Sequence, residues 1–211
     1  MATPISDPRP SFLVGIAGGT ASGKTTLATR VAARLGEQCL LISHDRYYRD
    51  VPTPIGHNYD SPDALDNALL SQNLQALARG QHTRLPIYDF STHSRSQETE
   101  AIQPCPVVIV EGILILAIPT LRELFHYTVF VEAEEEIRLN RRISRDQADR
   151  GRSREQILAQ YHQTVKPMHE LHVAPSQKGV DLLLRGDGSL EGAEAQLFEA
   201  ITHYSGLPPA C

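Results

Sequence analysis

The run Gly18-Gly19-Thr20-Ala21-Ser22-Gly23-Lys24-Thr25 fits the spacing G-x-x-x-x-G-K-[ST]. In such a run the glycines let successive backbone N–H groups turn toward one centre, and a helix opening behind them adds its own unpaired N–H groups around a β-phosphate. Lys24 then places a point charge near the β and γ oxygens, the Thr25 hydroxyl ligates Mg2+, and Thr26 continues the same helix start. A glycine-rich turn that binds nothing is the plain alternative. The dinucleotide pattern G-x-G-x-x-G is not matched, because Ala17 and Thr20 stand in the wrong places, which disfavours a nicotinamide enzyme.

A phosphate loop is shared by motors, GTPase switches and kinases, so other residues must decide. Asp45, directly after the apolar segment Cys39 to Ser43, can take a proton from an attacking hydroxyl and hold Mg2+ through water. As an isolated aspartate it would read as a loop residue bonded to its own backbone. Glu111 ends Val107-Val108-Ile109-Val110 and could orient a metal-bound water, or could be a solvent-facing acid at a strand end. Arg138, Arg141, Arg142, Arg145, Arg150, Arg152 and Arg154 crowd one short stretch. Such a run is usually a solvated helix face. Beside a phosphate loop it suits a mobile cover that brings guanidinium groups onto a transferring phosphoryl. No Asn-Lys-x-Asp guanine motif occurs, so a GTPase switch loses ground.

These residues need a scaffold that brings strand ends together. Phe12 onward is apolar without alternation, as in a parallel strand covered on both faces, and it runs into the glycines. Leu27, Val31 and Leu35 recur four apart and precede Gly36, which predicts an amphipathic helix with a glycine stop. Cys39 to Ser43, Val107 to Val110, Tyr127 to Val131 and Val180 to Leu184 read as further strands. Helical patterns separate them: Ser61-Pro62-Asp63 opens one helix running to about Ala78, and Glu134 to Glu136 open another that stops at Gly151. Ser153 and Gln156 form a capping box for a third, which Pro167 must end or kink. Leu85 to Phe90 and Glu98 to Ile102 form a hairpin beside the main sheet. The class is therefore α/β with a parallel sheet.

The chain has 211 residues, 41% of them apolar and 21% charged, which excludes disordered, collagen-like and coiled-coil classes and predicts one domain over 12–206 between a flexible tail at 1–11 and a C-terminal tail at 207–211. Twenty Lys and Arg against 25 Asp and Glu leave a net charge of -5, so no general basic field is available for nucleic acid and any anion must be held locally. The longest apolar run, Val107 to Ile118, is broken by Glu111 and Gly112 and is too short to span a membrane. Cys39, Cys105 and Cys211 are odd in number and far apart, and no basic region leads into an apolar stretch at the start; a reducing cytoplasm fits best. His162, His169 and His172 lack zinc-type partners and read as surface or interface histidines.

Taken in order, Gly18 to Thr25, Ser43-His44-Asp45-Arg46-Tyr47-Tyr48-Arg49, Tyr59-Asp60-Ser61-Pro62-Asp63-Ala64-Leu65-Asp66, Pro86-Ile87-Tyr88-Asp89-Phe90, Glu111-Gly112-Ile113-Leu114 and Arg141 to Arg152 resemble the uridine kinase, or uridine-cytidine kinase, family. The resemblance covers about residues 12 to 188. It implies a P-loop NTPase-type parallel sheet flanked by helices, with a small β-hairpin for the nucleoside and an Arg-rich helical lid. It also implies ATP-dependent transfer of the γ-phosphoryl to the 5′-hydroxyl of uridine or cytidine in pyrimidine salvage, by a cytoplasmic homotetramer inhibited by UTP or CTP. Asp45 would be the base, acting with Lys24 and Arg145; Thr25, Asp45 and Glu111 would hold Mg2+. Tyr48 and Tyr59 would belong to the nucleoside pocket, Asp60 and Arg142 would grip the ribose diol, Tyr88 and Phe90 would enclose the pyrimidine, and His93 would face its 4-position. Arg145, Arg150 and Arg152 would form the phosphate-facing cover, Gln160 would lie near the base, and Arg185 on the adenine side. Two departures stand out: 49–58 is shorter than the family pattern, and Leu184-Arg185-Gly186 replaces Pro-Arg-Gly. On the residues alone, Tyr88 and Phe90 could be core, and phosphoribulokinase, nicotinamide riboside kinase or a non-catalytic nucleotide switch remain open.

Overall fold

The structure, a computed structural model, describes residues 10–50 and 58–207. Most of the expected N-terminal tail, the last four residues and most of the shortened segment 49–58 lie outside it. Strand β1, Phe12–Gly18, sits at the centre and is buried along nearly its whole length. Its residues divide by face: Leu13 and Ala17 enter one apolar cluster, Val14 and Ile16 the other. Helix α1, Lys24–Leu35, lays Leu27, Ala28, Val31 and Leu35 on the second face, and Gly36 stops it at a positive φ of 60°. Strand β2, Cys39–Ser43, leads into a 3-10 turn over His44–Tyr47.

Helix α2, Asn67–Ala78, covers the first face with Leu70, Leu74 and Leu77. It starts later than the sequence pattern predicts. Ser61 precedes only a 3-10 turn, Pro62–Ala64, and its side chain makes no capping bond; Asp66 is the true cap, accepting from the Leu69 N–H at 3.2 Å. Backbone pairing explains the shift, because Arg49 N–H bonds Ala64 O, Asp66 N–H bonds Tyr47 O, and Leu65 bridges Tyr48, which together hold Leu65 extended and delay the helix. Strands β3, Thr83–Asp89, and β4, Ser94–Ile102, form the expected hairpin, with β4 longer than its apolar residues suggest.

Strand β5, Val107–Glu111, is buried throughout. Helix α3, Pro119–Arg122, strand β6, Tyr127–Glu132, and helix α4, Glu135–Arg150, follow, the last closed by left-handed Gly151. Helix α5, Arg154–Gln160, has the full capping box of Ser153 and Gln156. Pro167 does not end the helical run. It lies in helix α6, Lys166–Met168, between wider π turns at Tyr161–Val165 and His169–Val173, whose looser spacing takes the missing N–H and the proline ring without a break. Strand β7, Leu182–Arg185, is followed by helix α7, Leu190–Ser205, which packs Leu197 and Ile201 beside α1. Each fully buried Leu or Ile in these clusters contributes about 1.5 to 3 kcal/mol through burial.

The sheet order is β2-β5-β1-β6-β7, with every pair parallel, while β3 and β4 stand apart as a two-stranded sheet. All five carboxyl ends therefore meet at one edge: Gly18, Ser43, Glu111, Glu132 and Arg185. That edge, at a central strand whose neighbours lead away on opposite sides, is where α/β sheets bind ligands. The hairpin is tied to the main body by polar struts. Arg46 donates to Pro86 O at 3.0 Å and Glu100 at 2.6 Å, and Arg95 donates to Tyr47 O and Tyr48 O and pairs with Asp66. Among the described residues no helix is long and apolar enough to cross a membrane.

His44 fixes the turn that carries Asp45. Its ring is 1% exposed and its Nε2 lies 2.9 Å from Asn67 Oδ1, while the Asn67 amide donates to Pro62 O and so turns its oxygen to the ring. Burial holds the ring neutral, with its pKa lowered from 6.5 to about 4. The unfolded chain takes up this proton near pH 6.5 and the folded one only near 4, so stability should fall as pH drops through that window, by about 1.4 kcal/mol per pH unit from this group. Melting temperatures of the parent and His44→Gln read the effect. A parent that loses stability on acidification no faster than the variant would refute the assignment.

Candidate active site

Between β1 and α1 the phosphate loop is formed as its composition requires. Gly23 takes the left-handed region at φ 99° as the N-cap of α1, and Ala21 is held at φ 57°, a conformation non-glycine residues adopt at a cost. Ser22 is fully buried and its hydroxyl has no protein partner, so a polar group inside the loop awaits a ligand. Gly186, just after β7, must be glycine: a Cβ there would stand 1.9 Å from Ser22 O. A cleft of about 500 Å3 opens beside the loop, lined by Lys24, Thr25, Thr26, Arg141, Arg145 and Arg185 among others. Lys24 is 8% exposed within it. Beneath Gly19 lie Arg138, which is 5% exposed, and His169, which is half-buried; Arg138 Nη2 and His169 Nε2 are 3.3 Å apart. His169 is thus part of the loop's support, not a surface histidine, and burial first, then Arg138, lower its pKa to about 4.

The acids gather on the other side of the loop. Glu111 Oε2 accepts from the Thr25 hydroxyl at 3.0 Å, and its Oε1 accepts from Ser43 at 2.8 Å. Asp45 lies close enough that burial first and the Glu111 carboxylate second raise its pKa from 3.8 to about 6, against the opposing pull of Lys24 and Arg150. Two mutually repelling carboxylates beside a threonine hydroxyl make an oxygen-only donor set of the kind Mg2+ takes, with water and phosphate completing its shell. Thr25, Asp45 and Glu111 therefore fit that cation. Among the described residues no cluster of three His, Cys, Asp or Glu forms a self-sufficient metal site.

Between Asp45 and the hairpin lies an aromatic box. Tyr48 packs against Tyr59 and Tyr88 with ring centroids 5.6 Å away in each case, Tyr88 meets Phe90 at 5.1 Å, and Tyr59 meets His93 at 5.3 Å. His93 Nδ1 is 3.1 Å from the Tyr59 hydroxyl, and its backbone turns through φ 53° at the hairpin tip. Tyr48 donates to Tyr59 O, and its own hydroxyl is pushed well above its ordinary pKa by burial. Tyr88 is 8% exposed with a buried hydroxyl lacking a partner, whereas Phe90 is 56% exposed at the rim. Tyr88 is thus buried and Tyr48 packs against the first apolar cluster, while Phe90 stands open to solvent. At the foot of the box Asp60 is half-buried; burial raises its pKa while Arg142 and Lys24 draw it down.

The arginines of α4 face both sides. Arg142 is 6% exposed and donates to Thr20 of the loop and to Gln160, each at 3.0 Å, and Arg152 donates to the same Gln160 oxygen at 2.7 Å. Gln160 is therefore placed by arginines. Arg150, whose field acts on Asp45, and Arg145, which lines the cleft, complete the group. Arg185 reaches Glu132, Glu134 and Asp187 at the cleft's far side. Residues that the sequence patterns did not single out include Ser43 and Asp146. Asp146 stands four residues after Arg142 and four before Arg150, a spacing that could have marked it.

Removing the loop cation should separate chemistry from folding. Lys24→Ala should lower kcat/KM of a phosphoryl transfer by about 10² to 10³ with the melting temperature held. A variant that turns over like its parent would remove Lys24 from the charge-stabilising set.

The model of the Phosphoribulokinase / Uridine kinase family matches residues 13–186. The chain is 45% identical over 183 residues to a uridine kinase of Chloroflexus aggregans, covering 84% of this chain and 88% of that one. It is 41% identical over 186 residues to a uridine kinase of Clostridium perfringens, covering 85% and 89%. Solved structures of similar fold include phosphoribulokinase from Rhodobacter spheroides, with TM-score 0.66 and 13% identity over 85% of this chain and 71% of that one. D-glycerate 3-kinase from Cryptococcus neoformans has TM-score 0.62 and 19% identity over 85% and 88%.

Proposed function

The chain belongs to the phosphoribulokinase and uridine kinase family, and from that premise we propose that it is a uridine/cytidine kinase, moving the γ-phosphoryl of ATP to the nucleoside 5′-hydroxyl to give UMP or CMP. One observation carries the assignment of roles: Asp45 lies between Lys24 and Glu111 on the phosphate side and the box of Tyr48, Tyr59, Tyr88 and His93 on the other.

ATP enters with its phosphates in the loop of Gly18 to Gly23 and Thr20, Ala21 and Ser22 contributing backbone and hydroxyl groups, and its adenosine toward the cleft by Arg185. The nucleoside enters with its base among the rings and its ribose diol on Asp60 and Arg142. Asp45 accepts the proton as the 5′-oxygen attacks the γ-phosphorus and the bond to the β-γ bridging oxygen breaks, ADP leaving with that oxygen's electrons. A carboxyl with a pKa of about 6 is ionised at neutral pH yet basic enough to take the proton. Lys24, Arg145, Arg150 and Arg152 oppose the charge on the equatorial oxygens. Thr25, Glu111 and Asp45 would hold Mg2+, which would supply neutralisation of phosphate charge. His93 faces the 4-position, where a neutral imidazole can donate to the uridine carbonyl or accept from the cytidine amino group. The same family resemblance supports pyrimidine salvage in the cytoplasm, feedback by UTP or CTP, and a homotetramer.

A coupled ADP-release assay over uridine, cytidine, ribulose 5-phosphate and nicotinamide riboside tests the reading. Turnover with the two pyrimidine nucleosides is expected. Turnover confined to ribulose 5-phosphate or nicotinamide riboside, or nucleotide binding with no turnover, would overturn it.

A further inference from the structure

The side chain of Asp146 is fully buried, yet it belongs to no step described above. Around it stand four guanidinium groups: Arg145 at 2.8 Å, and Arg142, Arg150 and Arg152 each at 3.7 Å. Arg145 Nε also donates to Oδ1 at 2.9 Å, while Oδ2 is buried without a hydrogen bond and meets only the longer ion pairs. The backbone of the same residue is engaged too. Its carbonyl accepts the Gly151 N–H that ends α4 and the Arg152 N–H at 3.3 Å, so the turn carrying Arg150 and Arg152 is folded back onto Asp146. From this hub the arginines lead outward to Thr20 of the loop, to Gln160, into the cleft beside Lys24, and toward Asp45.

A buried carboxylate facing four cations does more than neutralise one of them. Four guanidinium groups this close repel one another, and without a shared counter-charge they would spread into solvent, each on its own long side chain. We infer that Asp146 is the positioning residue of the arginine array, holding Arg142, Arg145, Arg150 and Arg152 in register with the transferring phosphoryl while leaving the array a net positive charge for it. The inference rests on the kinase reading. It also has a consequence opposite in sign for binding and for turnover: Asp146 competes with phosphate oxygens for the same N–H groups, so removing its charge should free the arginines for anions while spoiling their aim.

Asp146→Asn keeps the shape and one acceptor and deletes the charge. Expected are a kcat lower by about 10²-fold, the loss that misplacement by about 1 Å brings, a lowered melting temperature with the fold retained, and a Kd for inorganic tripolyphosphate, by calorimetry, equal to or below the parent's. In the Asp146→Asn background, Arg145→Ala should cost much less kcat than it costs in the parent, since both act through one array. Near-parental kcat, additive effects in that cycle, or tripolyphosphate binding lost by the folded variant would each overturn the inference. If Asp146→Asn does not fold, Asp146→Glu reads the same point: reduced kcat with tripolyphosphate binding retained supports the role, and full kcat refutes it. A parent that binds tripolyphosphate but phosphorylates no nucleoside would instead refute the kinase reading, leaving the calorimetric comparison to decide the hub.

Discussion

Asp45→Asn should lower kcat on uridine and cytidine by about 10² to 10⁴ while nucleotide binding survives. The substitution preserves volume and one oxygen, so the turn over His44–Tyr47 has no steric reason to move. It removes the only property the reaction draws on, an ionised oxygen able to take the 5′-hydroxyl proton. The environment shows why another group does not easily replace it. Glu111 is already occupied by Thr25 and Ser43, and Asp60 is drawn toward Arg142. Removing one of two repelling carboxylates also relieves Glu111, so the variant should be as stable as the parent or more so. Near-normal turnover in a correctly folded Asp45→Asn protein would remove this residue from the mechanism.

Deoxyuridine and deoxycytidine should be poor acceptors, discriminated against by up to about 10⁴ in kcat/KM. Asp60 is a half-buried carboxylate whose pKa is raised by burial, so in a closed site it needs donors. A ribose diol supplies two hydroxyls, and a 2′-deoxy sugar leaves an oxygen of Asp60 short of a partner, which costs more than the lost contact alone. Asp60→Ala should therefore lose activity on uridine and narrow the ratio between ribose and deoxyribose substrates. Competition kinetics with the nucleoside pairs measure both. Equal use of cytidine and deoxycytidine by the parent would leave Tyr59 to Asp63 as a structural segment.

What could be read along the chain was whatever is local. The phosphate loop, Asp45 after β2 and Glu111 at the end of β5 are short strings at strand ends, and parallel pairing brings strand ends together without further information. The hairpin and the capping box of α5 are equally local. Ser61 misled because its cap pattern is real but weaker than the pairing of 64–66 with 47–49, which no sequence window contains. Of the two outcomes expected at Pro167, an end to the helix does not occur, because π turns beside the buried Tyr161, Val165 and Val173 carry the run past it. The pairing of His169 with Arg138 beneath Gly19 spans three elements and was beyond any spacing rule. Helix α7 drew no attention because it carries no chemistry, although it closes the second apolar face.

The separation of the hairpin from the main sheet bears on how such a protein can change over time. Nearly all of β4 is exposed, and the struts from Arg46 and Arg95 reach mainly backbone oxygens, which any sequence presents. Substitutions on β4 can therefore accumulate with little loss of core packing and without disturbing Lys24, Glu111 or the loop, whereas Leu85 and Tyr88 tie β3 to the core. On the proposed reading, donor chemistry and acceptor choice would then be separable traits, the second open to change while the first stays in working order.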